Sequence, residues 1–201
     1  MPDNEYHFTS VWRVEGTCGE VADIMDDPVA LARWWPAVYL EVVEIAPPDA
    51  RGLGRRVRLL TKGFLPYTLK WEFEVVNSRY PYGFTIAAIG DFDGRGEWTF
   101  EQDGRFVTMT YDWRLRAEKP LIRRLSFVLR PLFEANHRWA MAQGEESLKL
   151  ELARRRAMSA TARAAVPPPP GPITYSGVAL LAGVAAMSAA LAYLVVRSRK
   201  R

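Results

Sequence analysis

Tyr67-Thr68-Leu69-Lys70-Trp71-Glu72-Phe73-Glu74-Val75-Val76 alternates cleanly. Tyr67, Leu69, Trp71, Phe73 and Val75 fall on one side of an extended chain, and Thr68, Lys70, Glu72 and Glu74 on the other. A period of two with one apolar and one charged face describes a strand that is wet on one side, which is the habit of antiparallel sheets. Further along, Val107, Met109, Tyr111, Trp113 and Leu115 oppose Thr108, Thr110, Asp112 and Arg114 in the same way. Between Leu40 and Arg116 turn residues recur roughly every ten positions, with Asp91, Asp93-Gly94 and Gln102-Asp103-Gly104 read as turns, so the whole stretch is predicted to be an antiparallel meander.

A half-wet sheet needs a cover for its apolar face. The segment after Lys119 has helical composition through Arg156, with a break or kink expected at Pro131. Beyond that proline, Phe133, His137, Ala140, Met141, Gly144, Leu148 and Leu152 recur at spacings of three and four and form one stripe, expected to lie in the concavity of the sheet. Upstream, Tyr6 to Val14 alternates and is predicted as a first strand, with Tyr6, Phe8, Ser10, Trp12 and Val14 on one face. Two short helices follow. Thr17-Cys18-Gly19-Glu20 fits a capping box, and Asp27-Pro28 supplies an N-cap and a first helical residue for a helix ending near Trp34-Trp35, before Pro36.

The C-terminus has another character. Ile173 to Val196 carries no charged side chain and has the length of a membrane-spanning helix, bounded by Pro167-Pro168-Pro169-Pro170-Gly171-Pro172 and by Arg197, Arg199, Lys200 and Arg201. Its Leu, Ile and Val residues favour insertion by about 3 to 5 kcal/mol in sum, against several near-neutral alanines. The chain is therefore divided into a domain over 1–156, an Ala/Pro-rich linker over 157–172 acting as a semi-rigid spacer, a single transmembrane helix over 173–196 and a basic tail over 197–201. Arg154, Arg155 and Arg156 are expected to touch anionic lipid headgroups. No basic n-region and apolar run open the chain, so the N-terminal domain is expected on the cytoplasmic side of the membrane. Ala179, Ala182, Gly183, Ala186 and Ala190 line one side of the span, but the oligomeric state is left open.

Composition narrows the function. The 201 residues hold 27 Lys and Arg against 23 Asp and Glu, a formal charge of +4, with no basic stripe interleaved with stacking aromatics, so nucleic acid is not an expected partner. One cysteine, Cys18, forms no internal disulfide and reads as a buried filler thiol. Two histidines at opposite ends of the domain, His7 and His137, give no metal-ligand spacing, and neither a metal nor another cofactor is expected. No nucleophile elbow or dinucleotide fingerprint is present, and Gly90 to Gly96 reads as a hairpin because no helix follows it.

Certain residues carry a resemblance: Trp12-Arg13-Val14, Asp27-Pro28 with Trp34-Trp35-Pro36, Gly96-Glu97-Trp98-Thr99-Phe100, Val107-Thr108-Met109-Thr110-Tyr111-Asp112-Trp113 and Asn136-His137-Arg138-Trp139. With the order strand, two short helices, long meander and long helix, the chain from Tyr6 to about Arg156 resembles the SRPBCC superfamily, which includes START-type lipid carriers and bacterial polyketide cyclase/dehydrase-like proteins. The resemblance implies an α+β helix-grip fold, a curved antiparallel sheet wrapped on a long C-terminal helix, to which this chain adds its apolar tail. It also implies a deep apolar cavity for lipids, polyketides or other hydrophobic molecules. The residues agree independently, because the inward faces are richer in aromatics than packing alone requires. Tyr67, Trp71, Phe73, Trp98, Phe100, Met109, Tyr111, Trp113, Phe133, His137 and Met141 are the expected ligand-binding residues.

Two candidates carry possible chemistry. His137 on the inward helix stripe is a general acid/base candidate, with Tyr111 or a carboxylate polarising a carbonyl, as cyclase-type aldol and dehydration steps require. Asp112 and Glu97 alternate outward and read as solvated. The favoured reading is membrane-tethered, non-catalytic binding of a hydrophobic small molecule or lipid. The alternatives are a polyketide cyclase/aromatase/dehydratase-like enzyme and a cavity-based protein interaction module at the membrane.

Overall fold

The computed structural model describes residues 5–117 and 120–175, with backbone alone at 117 and over 120–129. Among the described residues seven strands form one antiparallel sheet: β1 (Glu5–Glu15), β2 (Tyr39–Ala46), β3 (Arg56–Lys62), β4 (Thr68–Ser78), β5 (Gly83–Gly90), β6 (Phe92–Asp103) and β7 (Phe106–Ala117). Their spatial order is β1-β7-β6-β5-β4-β3-β2, a meander whose last strand is joined by the first. Register shifts within the β2–β3 and β4–β5 pairs bend the sheet. The alternation of Tyr67 to Val76 survives as β4, with Leu69, Trp71 and Phe73 buried and Thr68, Lys70 and Glu74 exposed.

Between β1 and β2 lie α1 (Cys18–Met25), a 3₁₀ turn (Pro28–Ala30) and α2 (Leu31–Trp34). The capping box forms as read. The Glu20 amide donates to the Thr17 hydroxyl and the Thr17 amide to the Glu20 carboxylate, at 3.2 and 2.8 Å. Cys18 is buried at the start of α1, and burial raises its thiol pKa. Pro28 opens the next helical turn, but the Asp27 side chain makes no capping bond, and the segment starts as a 3₁₀ turn.

The expected turn at Asp93-Gly94 is not one. The chain reverses at Asp91, whose amide donates to the Lys70 carbonyl at 3.0 Å, and Asp93 and Gly94 already pair with Arg116 and Leu115 as part of β6. The next hairpin turns at Gly104, with φ +56°, as the Gln102-Asp103-Gly104 reading anticipated.

The lid is α3 (Pro120–Arg156), 37 residues long and unbroken at Pro131, which forfeits one backbone bond without ending the helix. Its C-terminal half lies directly on the sheet. Leu148 and Leu152 are buried there with Trp12, Val14 and Val107. Gly144 permits the closest approach, since a Cβ on it would stand 2.3 Å from Trp35 Cζ2 and 2.7 Å from Trp12 Cη2. The Glu151 carboxylate, 3 % exposed, ties the lid to α2 by accepting from both terminal nitrogens of Arg33 at 3.0 and 2.9 Å.

The arginines assigned above to lipid headgroups are engaged within the fold. Arg154 and Arg155 pair with Glu151 at 3.2 and 3.1 Å, and Arg156 pairs with Glu20 at 2.7 Å, because the helix brings their side chains over acidic partners on α1 and on its own preceding turn. Nor is the Ala/Pro-rich linker a detached spacer. It forms α4 (Ala160–Ala165), capped by the Ser159 hydroxyl, and then an extended proline strap that returns to the body of the domain. Among the described residues no helix is long and apolar enough to cross a membrane. The transmembrane helix expected over 173–196 lies outside the described residues from Ser176 onward, as do the small-residue side of that span and the basic tail.

Candidate functional site

Along Phe133 to Met141, α3 rests on β1 through Phe133 and His137, and beside it lie two neighbouring chambers of about 930 Å³ each, counting their open mouths. Trp35, Tyr39, Trp71, Tyr111 and Met141 line both and make the waist between them. The waist is ordered by aromatic packing. Tyr111 stacks on Trp98 and on Trp113, with centroids 4.4 and 5.7 Å apart, and Trp71 meets Phe92 edge-on at 5.5 Å. Gly96 lets Tyr111 and Trp113 lie against β6, for a Cβ there would come within 2.4 Å of the Tyr111 hydroxyl. The Trp71 indole N–H is satisfied by the Thr61 hydroxyl at 3.0 Å, so a ring that must turn an apolar face to the cavity leaves no polar edge unpaired.

The first chamber opens where α3 passes the loop between β3 and β4. Tyr6 and Phe8 reach it from β1, Trp113 from β7, and Phe133 and His137 from the lid stripe. His137 stacks on Phe8 at 4.3 Å, and its Nε2 shares a hydrogen bond of 3.1 Å with the Ser10 hydroxyl, the donor depending on the tautomer. Burial, aided by the charge of neighbouring Arg138, lowers the His137 pKa to about 4, so the imidazole is neutral at pH 7. At the mouth, Asn136 Oδ1 accepts from the Leu65 amide at 3.2 Å, and Gly63 leaves room for that carboxamide.

The second chamber lies between α1, the β2–β3 loop and the turn from β4 to β5. Phe73, Phe84, Ile86, Trp98 and Phe100 supply its walls. Polar groups gather at its mouth: Arg55 donates to the Asp26 carbonyl oxygen and lies 3.4 Å from the Glu44 carboxylate, while the Tyr80 hydroxyl donates to Asp23 at 2.9 Å. Burial raises the Asp26 pKa, with Arg55 opposing the rise.

Tyr39, Tyr67 and Tyr111 are among the tyrosines that line the chambers. Burial raises the pKa of Tyr39, Tyr67 and Tyr111, and in Tyr111 the nearby Tyr39 adds to the shift, so all three stay protonated at neutral pH and can donate to a ligand oxygen.

The structure gathers most of the residues picked from the sequence. Tyr67, Trp113, Phe133 and His137 line the first chamber, Phe73, Trp98 and Phe100 the second, and Trp71, Tyr111 and Met141 the waist. Met109 is a correction. It shares the inward face of β7 but sits opposite Trp12 and Phe100, fully buried in the solid part of the core, and lines neither chamber. His137 bonds Ser10, a residue on the predicted inward face of β1, and not Tyr111. Asp112 and Glu97 point outward as expected, onto His7 at 2.7 Å and Arg79 at 2.9 Å.

Sequence reasoning missed Trp35 and Tyr39, which flank the chain reversal at Pro36, and the mouth residues Arg55, Lys62 and Asn136. Trp35 was findable, since the residue before Pro36 cannot continue the helix and its indole must turn elsewhere.

This geometry can be set beside known proteins. In solved structures the fold recurs in TTHA0849 from Thermus thermophilus, at 16 % identity and TM-score 0.58, covering 71 % of this chain and 97 % of that one. It recurs in the Zhui aromatase/cyclase of a Streptomyces species, at 16 % identity and TM-score 0.59, covering 78 % and 98 %. The di-domain aromatase/cyclase StfQ of the steffimycin biosynthetic pathway matches at 13 % identity and TM-score 0.57, over 78 % of this chain and 53 % of that one. At these identities the likeness is one of fold. No curated protein matches the chain by sequence. The family model described as polyketide cyclase / dehydrase and lipid transport matches residues 6–153, which takes in the whole sheet, both short helices and nearly all of the lid, and the chain belongs to that family.

Proposed function

We propose that this protein binds a hydrophobic small molecule or lipid in the two-chambered cavity, without catalysis, while its C-terminal run 173–196 holds the domain at the cytoplasmic face of a membrane. The observation that carries the reading is the waist, where Trp35, Tyr39, Trp71, Tyr111 and Met141 line two neighbouring aromatic chambers at once. Such a lining favours an apolar ligand oriented by a few hydrogen bonds, here from the phenols of Tyr39, Tyr67 and Tyr111. His137 is hydrogen-bonded to Ser10 and its imidazole is uncharged at pH 7, which suits an acceptor or a wall better than a general acid. The membrane reading rests on the uncharged sequence alone.

The test is mass spectrometry of organic extracts of the full chain purified in detergent, with titration of an apolar fluorescent probe. A stoichiometric apolar molecule, or saturable probe binding that Trp71→Ala weakens, is expected. Empty extracts together with no saturable binding overturn the reading.

One set of observations favours a second reading, a cyclase-, aromatase- or dehydratase-like activity: two of the structural neighbours are aromatase/cyclases, and His137 and Tyr111 line the same chamber. It predicts that His137→Ala abolishes turnover of a polyketide-like substrate while binding persists. Equal turnover removes that role.

A further inference from the structure

The proline strap is attached at both ends. Near its start the Pro167 carbonyl accepts from the Arg154 guanidinium at 2.8 Å, and at its far end the Ile173 carbonyl accepts from Lys62 Nζ at 2.7 Å, with the same ammonium 5.1 Å from the Tyr175 ring centroid. Arg154 closes α3, whereas Lys62 lines the first chamber beside Gly63, which abuts Asn136. An extended proline run rises about 3.1 Å per residue, so the strap covers roughly 19 Å from Pro167 to Ile173. The helix from Arg154 back to Asn136 covers roughly 27 Å, and the long Arg and Lys side chains supply the remainder. The strap therefore runs back along the lid and delivers the chain to the mouth of the first chamber.

The rim at that point has the composition of a membrane interface. Lys62, which lines the chamber, sits with Tyr175, while Phe64, next to the lining Gly63, meets Trp139, next to the lining Ala140, edge-on at 6.1 Å, both rings partly exposed. Aromatic rings with polar edges and long basic side chains are what settle at headgroup depth. The uncharged run beyond Tyr175 starts from this rim.

We infer that the strap is an orienting brace: it fixes the mouth of the first chamber, rimmed by Lys62, Phe64, Trp139 and Tyr175, against the bilayer, so that the cavity exchanges its ligand with lipid and not with water. The inference rests on the tethered-binding reading above and adds the direction in which the cavity faces. The second mouth, with Arg55 and Tyr80, then faces away from the membrane.

The protein carries its own reporter. Of its seven tryptophans, six are no more than 8 % exposed, and among the described residues Trp139 alone is partly exposed. The full chain is reconstituted into phosphatidylcholine vesicles whose acyl chains are brominated close to the headgroup, and tryptophan emission is compared with that in unbrominated vesicles. A partner variant replaces residues 167–172 with Gly and Ser at equal length. The expected result is quenching in the native chain that the Gly/Ser variant loses by about half or more, since a flexible linker lets the domain tumble at the surface. Trp139→Phe should abolish the quenching in both.

Failure to float with the vesicles overturns the inference by removing the membrane contact. Flotation with no quenching, or with equal quenching in both chains, overturns it by removing the orientation. Mass spectrometry of organic extracts and saturable probe binding, measured on the full chain in detergent before reconstitution, report separately on the ligand-binding reading: empty extracts together with no saturable binding sink that reading whatever the quenching shows.

Discussion

The two halves of α3 rest on the same sheet and do opposite things. From Gly144 to Leu152 the lid touches the strands, with Leu148 and Leu152 buried against Trp12 and Val14 and the Glu151 carboxylate fastened to Arg33. From Phe133 to Met141 the same stripe borders the first chamber, with Phe133 against Tyr6 and His137 on Phe8. The stripe's period does not change between them. What changes is what faces the small residues: Gly144 marks contact at backbone distance with Trp35 and Trp12, while Ala140, one turn earlier, borders the first chamber. A helix-grip protein thus separates stability from binding along a single helix, by size at the small positions and not by hydrophobicity.

The comparison breaks most sharply at those two positions. Leucine at Gly144 would drive a side chain into Trp35 and Trp12, where even a Cβ stands 2.3 Å from an indole carbon. Gly144→Leu is expected to cost more than about 3 kcal/mol, the upper end for overpacking, although leucine is the better helix former by nearly 1 kcal/mol. Ala140→Leu adds the same groups to open space and should change stability by less than about 1 kcal/mol while excluding ligand from the first chamber. Urea denaturation of both, beside probe binding for the second, decides it. Equal losses of stability at the two sites would show that the division of the helix is not real.

The next largest effect lies in the open half. Burial holds the His137 pKa near 4 in the folded chain against an unfolded value near 6.5. A base with a depressed folded pKa gives stability that is complete above the unfolded pKa and is lost as pH falls toward the folded one, because the unfolded chain takes up the proton first. Between about pH 6.5 and pH 4 the native protein should lose up to roughly 3 kcal/mol from this group. His137→Gln can keep the bond to Ser10 without titrating, so its unfolding midpoint should fall less over that interval. Parallel curves for the two proteins would place the pH sensitivity elsewhere.

How much of this was legible in the sequence follows the same division. Tyr67 to Val76 and Val107 to Leu115 announced themselves because water on one face imposes a strict period of two, and the lid stripe announced itself by its helical spacing. Contact and cavity look alike in such patterns. Met109 and Tyr111 share one face of β7 two residues apart, yet Met109 is solid core and Tyr111 lines the waist, a difference set by sheet curvature that no local period records. Arg55 and Lys62, at the two mouths, lie where the chain leaves one strand for another, and only the pairing of distant elements gives them a role. The arginines after Glu151 read as a run of surface charge, and nothing local shows that Arg156 pairs with Glu20 from 136 positions away in sequence.

The smallest expected effect tests whether the waist is held by a bond or merely by packing. Trp71 must present its ring to both chambers, and its N–H, on a buried edge, has the Thr61 hydroxyl as partner at 3.0 Å. Thr61→Val keeps the shape and removes the acceptor, leaving a buried donor unpaired at a cost of about 1 to 2 kcal/mol. If the bond is the cause, Trp71→Phe removes the donor as well, and in that background Thr61→Val should cost close to nothing, because no polar group is then left without a partner. If instead Thr61 matters through methyl packing, the substitution costs the same with and without the indole, and the waist is held by fit, as the contact half of the helix is, and not by the Thr61–Trp71 bond.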